Sequence, residues 1–292
     1  MSAVISLSEH GHRASARAPI CDAAKLGRVR VSGGVRVAVS EHGGRTRIDD
    51  VSESDGYKVR FPRRGQRPEA ILINTGGGLA AGDRVRQDFD VRAGAGLTVT
   101  TQASERVYRS FEGATTDVTV HANVGPDALL AWLPQDTILF DKARLRRSIS
   151  VDLASRARTV LAETVVLGRT LMGEQLQTGL FTDNWRIMRD GRLAFAENVR
   201  LDQSALGRLA DPALTGGAPV ITTMVYAAPD AADRLAPVRG ILAESPVECA
   251  ASAWNGLLVV RGMASKTEPV LHLLSALVPV LGAGPVPRVW WT

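Results

Sequence analysis

Cysteine is nearly missing from the 292 residues: Cys21 and Cys249 are the only two, far apart and outside any C-x-x-C pair. Neither a disulfide framework nor a zinc motif follows, and a reducing cytoplasm is the expected compartment. Long apolar runs are missing too. The stretch from Ala3 to Leu7 is short and broken by Ser6, which does not make a secretory leader. The stretch "VLHLLSALVPVLG", 270–282, is too short to span a bilayer, so a soluble chain without a membrane partner is expected. Aromatic residues make up only 5%, and they are sparse around the basic segments, which argues against single-stranded nucleic acid as a partner. Hydrolase signatures are absent as well: there is no G-x-S-x-G, no H-E-x-x-H and no Cys near a His.

What is present is arginine, glycine and alternation. Lysine occurs only at Lys25, Lys58, Lys142 and Lys266, so arginine carries the net charge of +5. Only 60–67 ("RFPRRGQR") and 144–147 ("RLRR") form basic patches, read as solvated strand faces or a surface for an acidic protein. Residues 1–26 are polar and aperiodic and read as a flexible tail, with His10 and His12 as at most a loose metal pair. From Arg28 the signal is period two. "VRVSGGVRVAV" reads as a hairpin, and short strands such as "YKVRF", "AILIN", "VRQDFDV", "LTVTTQA" and "TVLAETVVLG" follow between turn residues. This predicts a mainly β fold: a large stacked-sheet or barrel-like body over 27–201 and a smaller, mixed helical/β C-terminal part over 202–292. No repeat of fixed period is visible. A helix is expected near 229–245, interrupted at Pro237, and another after Ser265, with Glu268 completing a capping box.

Glycine is densest in "INTGGGLAAGDRV", 73–85. Gly76, Gly78 and Ala81 spell a dinucleotide fingerprint, but strand alternation follows where the fingerprint needs a helix. A Walker loop fails for want of Lys-Ser or Lys-Thr. These glycines therefore serve a sheet turn, and Asp83 at its end either bonds loop amides or receives a visiting cation. In "RTVLAETVVLG", Glu163 shares a strand face with Leu161, Val165 and Leu167. A carboxylate there needs a partner; Arg169 is nearest in sequence, and the alternative is a carboxylate lining a polar channel. Three classes stay open on the residues alone: a metallocentre-assembly scaffold, a β-scaffold hydrolase using carboxylates such as Glu163 and Glu174, and a sugar- or protein-binding β module.

Five ordered segments narrow the choice: "GGGLAAGD", "TTQASERVYRS", "LLAWLPQDTILFD", "LAETVVLGRTLMGE" and "PVPRVW". Together they resemble the urease accessory protein family UreD, also called UreH, from about Ala70 to Trp291. Departures are mild: Glu105 and Arg106 replace a small residue and Lys, Asp136 replaces Glu, and Ala81 replaces Gly. The resemblance implies a β-helix-like stack with a smaller helical part and no enzymatic activity. It implies a chaperone that binds apo-urease with UreF and the GTPase UreG and helps nickel reach the active site. No tightly bound cofactor is implied, only nickel in transit. By motif position and chemistry, Asp83, Ser104, Glu163 and Glu174 are the expected lining of that transit, since oxygen ligands release nickel readily. Arg288, Trp290 and Trp291 have the residue types of a partner anchor.

Overall fold

The computed structural model describes residues 30–62 and 67–291; the expected tail over 1–26 and half of the first basic patch, 63–66, lie outside them. Strands β1 (Ser32–His42), β2 (Arg45–Ser54), β3 (Tyr57–Arg60), β4 (Glu69–Asn74), β5 (Arg84–Val91) and β6 (Gly96–Thr101) open the described chain. Next come β7 (Glu105–Val107), β8 (Thr116–Val124), β9 (Leu129–Trp132), β10 (Thr137–Leu139), β11 (Arg144–Leu153) and β12 (Arg158–Leu167). Then follow β13 (Leu180–Arg189), β14 (Arg192–Leu201), β15 (Val220–Ala227), helix α1 (Leu235–Ala243), β16 (Glu248–Trp254), β17 (Leu257–Ala264) and helix α2 (Thr267–Val280).

The strands form two sheets. One has the order β14-β13-β11-β8-β5-β1-β2, the other β16-β17-β15-β12-β9-β6-β4-β3, with β10 and β7 attached beside β12. Strands β1, β5, β8, β11 and β13 are parallel neighbours in the first sheet, and β4, β6, β9 and β12 in the second. The chain thus alternates between sheets rung by rung, which makes the expected mainly β, β-helix-like body with helices near the C-terminus. Antiparallel strands finish both sheets.

Alternation decides which side chains go inside. On β11, Leu145, Ile149, Val151 and Leu153 face the other sheet; on β12, Leu161, Val165 and Leu167 do. The opposite face of β12 (Val160, Ala162, Val166) packs under α1, α2 and the C-terminal segment as a second apolar layer, with Val238, Leu274, Leu277 and Trp290. This two-sided burial explains why "TVLAETVVL" reads as a nearly continuous apolar run.

Both helices form, with altered beginnings. Pro237 sits in the first turn of α1, where its missing N–H has no intrahelical partner to lose, so the helix continues to Ala243. The capping box at Ser265 does not form: α2 starts one residue later, with Lys266 as an extended N-cap and no side-chain cap.

Candidate functional site

Parallel rungs put all crossings from the second sheet to the first at one end of the solenoid. The loops 75–83, 102–115, 133–143 and 168–179 therefore gather there, and four of the five quoted motif segments run into or through them. The loops are bound to one another by backbone. Leu79 N donates to Arg106 O at 2.7 Å, Glu105 N to Asp136 O at 2.9 Å, and Gly168 N to Leu139 O at 2.8 Å. Glycine permits this closeness at two points. A Cβ on Gly78 (φ 154°) would lie 2.7 Å from the Tyr108 ring, and one on Gly168 (φ 97°) 2.5 Å from Glu174 O. The glycine-dense stretch is a loop-packing device, as its strand-like sequel indicates.

Each expected site carboxylate has a defined partner set. Asp83, 2% exposed, accepts Val31 N and Ala80 N, both at 2.8 Å. It thereby fixes the start of β1 to the glycine loop. Glu174 accepts Arg169 Nη2 at 2.6 Å and Nε at 3.1 Å, and Asp141 N at 3.1 Å; Arg109 stands 3.6 Å away. The Arg169 hydrogen bond is the main cause that holds Glu174 below the ordinary carboxylate range. Arg169 also lies over the Phe140 ring, 4.6 Å from its centroid. Ser104 donates to Asp136 Oδ1 at 2.7 Å, and burial raises the Asp136 carboxyl.

The pairing of Glu163 with Arg169 is corrected by the fold. β12 turns Glu163 into the space between the sheets, while Arg169 lies beyond it in the loop. The partner is Arg147, whose Nη1 donates to Glu163 Oε2. Arg147 also forms a fork on Asp183, Nε at 3.0 Å and Nη2 at 2.6 Å, and Trp132 Nε1 donates to Glu163 Oε1 at 2.7 Å. Arg147 and Asp183 are register partners on β11 and β13; Glu163 and Trp132 come from the facing sheet. One guanidinium thus faces two buried carboxylates. Burial pushes Glu163 up to about 7, and the two carboxylates hold Arg147 firmly protonated.

A small cavity of about 50 Å³ opens beside this cluster, room for a few waters. Glu163, Arg147, Gln87, Thr101, Gln135, Tyr57 and Glu105 are among its walls. Glu105 accepts Tyr57 Oη at 3.2 Å and Asn74 Nδ2 at 2.9 Å, and burial pushes it up to about 7. A second cavity of about 270 Å³ shares the walls Pro134 and Gln135 and adds Asp136, Thr164 and Glu268 beneath α2. The structure therefore groups Glu163 with one cavity and brings Ser104 to the other through Asp136. Glu174 joins neither. Among the described residues no cluster of three or more His, Cys, Asp or Glu is arranged to hold a metal ion.

Sequence reasoning missed Arg147, Asp183 and the role of Glu105. The first two carried a signal: each interrupts an inward apolar row, Leu145–Arg147–Ile149 and Phe181–Asp183–Trp185. The expected anchor at the C-terminus divides. Trp290 is a core residue, 5% exposed, and donates its indole N–H to Leu133 O at 3.2 Å; it is not presented to a partner. Trp291 is 54% exposed, beside His272, and Arg288 is exposed.

Comparison with known proteins agrees with the motif segments. The family model described as UreD urease accessory protein matches residues 31–291. The chain is 43% identical to urease accessory protein UreD 1 of Methylobacterium radiotolerans, covering 96% of this chain and 99% of that one. It is 42% identical to urease accessory protein UreD of Methylobacterium sp. strain 4-46 (86% and 90% covered). It is also 42% identical to that of Xanthobacter autotrophicus (91% and 91%).

Proposed function

The chain belongs to the UreD family of urease accessory proteins, non-enzymatic factors of urease maturation, and we propose a specific division of labour for it. It binds apo-urease in the cytoplasm together with UreF- and UreG-like partners, the latter supplying GTP hydrolysis. It assists nickel insertion by offering the cation a polar passage through its interior. One observation carries this reading: two cavities share the wall Pro134–Gln135, and carboxylates stand in both, Glu163 and Glu105 in one, Asp136 and Glu268 in the other. Oxygen donors in twos are too few for storage and sufficient for passage, because a hard, sparse donor set releases a divalent ion. Ser104 and Glu163 belong to this passage. Asp83 and Glu174 have partner sets that suit them to hold the surrounding loops in place.

The test is reconstituted activation of apo-urease with nickel, comparing the natural chain with Glu163→Gln and Ser104→Ala. Nickel per urease active site is expected to fall while the variants remain folded and complexed. Full loading by both variants refutes the passage. Failure of the natural chain to associate with apo-urease refutes the scaffold role itself.

A further inference from the structure

Three large apolar side chains stand almost fully in solvent at the loop end: Leu171 at 96%, Phe111 at 85% and Met172 at 78% exposure. Single exposed apolar residues need no explanation; three on neighbouring loops do. Their loops are joined by Glu174, which receives Arg169 from one side and has Arg109 at 3.6 Å from the other. Neither loop is free to fold its apolar tip inward. Ser110 N is tied to Lys142 O at 2.9 Å, Gly173 N to Thr170 O at 3.0 Å, and Asp141 Oδ1 accepts Gln177 N and Thr178 N at 3.0 Å each.

The charges around these tips are sorted by sign. Asp141 accepts the Gln177 and Thr178 N–H groups through Oδ1, Glu174 accepts Arg169 and the Asp141 N–H, and both carboxylates are half-buried among the loops. The exposed charges of the same loops are Arg106, Arg109 and Lys142, against Glu112 alone. We propose that Phe111, Leu171 and Met172 form the anchor of a protein-docking surface whose partner offers an apolar recess rimmed by carboxylates. A second copy of this chain does not fit, because pairing the surface with itself opposes cation to cation. An anionic membrane shares part of the chemistry, but stapled loops suit a shaped protein recess, where preorganisation contributes affinity. The inference rests on the proposed function for the identity of that partner, apo-urease.

The full-length chain and the variant Phe111→Ser/Leu171→Ser/Met172→Ser are titrated against purified apo-urease by interferometry, at low and high salt. These side chains touch little of the protein, so the variant is expected to keep its melting temperature. Its affinity is expected to fall at least about ten-fold, as for hot-spot residues. Arg109→Glu with Lys142→Glu is expected to slow association and flatten its salt dependence. Equal affinity of natural and triple-variant chains overturns the docking surface and leaves the scaffold role standing. Absence of binding by the natural chain overturns both. Binding of the natural chain to phosphatidylserine vesicles, or self-association abolished by the triple substitution, also overturns the protein-recess assignment.

Discussion

Replacing Arg147 by Met leaves two carboxylates, Glu163 and Asp183, buried at 4% and 6% exposure without their guanidinium. Methionine fills much of the arginine stem, so the effect is electrostatic more than steric. Breaking a buried pair from one side costs about 3–5 kcal/mol. In domains of 150–250 residues each kcal/mol moves the melting point by roughly 2–4 °C, so a fall on the order of 10 °C is expected. Glu163→Gln should behave in the opposite manner. Its side-chain carbonyl still accepts the Trp132 indole N–H, Asp183 keeps both bonds to Arg147, and the second buried negative charge is gone. The expected change is within about 1 kcal/mol of zero or stabilising, as for replacement of a buried charge that is not fully compensated. Urea unfolding followed by circular dichroism measures both, with an unchanged m-value as the sign that the fold is retained. A Glu163→Gln cost as large as that of Arg147→Met would refute the reasoning, since it would mean the three charges are balanced.

Stability should fall as pH rises from about 4.5 to about 7. Glu163 and Glu105 are both held near 7 by burial, so in that window the folded chain keeps protons that the unfolded chain has released. Melting curves at pH 5, 6, 7 and 8 check this; a rise in melting temperature across the window contradicts it, and Glu163→Gln should flatten the slope. Gly168→Ala places a Cβ 2.5 Å from Glu174 O at φ 97°, so a loss of at least about 1–3 kcal/mol is expected, with greater proteolysis in 168–179. Trp290→Ala should cost about 3–5 kcal/mol as a core deletion, whereas Trp291→Ala should leave unfolding nearly unchanged. Equal effects of the two would contradict the burial that separates them.

The strands were legible because each faces two environments. "VRQDFDV" alternates Val85, Gln87, Phe89 and Val91 inward with Arg86, Asp88 and Asp90 outward, and a period of two needs no tertiary knowledge. The solenoid was not legible, although a repeat exists. The short turns at the end opposite the motif loops share one form: Gly94, Asp127 and Arg156 all have positive φ and are followed by Ala95, Ala128 and Ala157, each at most 2% exposed. Three residue types occupy the one left-handed position, and the rungs between turns differ in length, so nothing recurs at a fixed interval. Asp127 and Arg156 also pair with each other across rungs at the surface, Arg156 Nε to Asp127 Oδ1 at 2.7 Å. The site was half legible for a related reason. Family motifs point to the loops, which the chain supplies in order. Arg147 and Asp183 meet only through the parallel register of β11 with β13, and that register is set by the whole sheet.

That register also constrains where a cation can travel. Across the inner face of the first sheet the row nearest the loops is Thr116–Leu145–Phe181, the second is Val85–Val118–Arg147–Asp183, and the third is Gln87–Val120–Ile149–Trp185. The fourth row, Phe89–Ala122–Val151–Ile187, is wholly apolar and buried. On this sheet an ion in the small cavity therefore finds polar groups no deeper than the Gln87 row, and desolvation opposes movement further along the solenoid axis. The proposed passage therefore turns sideways, past Pro134 and Gln135, into the cavity under α2 where Asp136 and Glu268 stand. In that proposal Gln135 is the gatepost: its Nε2 donates to Gln102 O at 2.9 Å and Val289 O at 3.1 Å, so the C-terminal segment holds it in place. Gln135→Met, similar in length and without the amide, should lower nickel per urease site several-fold in the activation assay while urease binding persists. Ala122→Val, buried in the fourth row and off the passage, should leave nickel loading unchanged whatever its effect on stability. The opposite pattern, loading lost with Ala122→Val and kept with Gln135→Met, would place the route along the solenoid axis and refute the sideways turn.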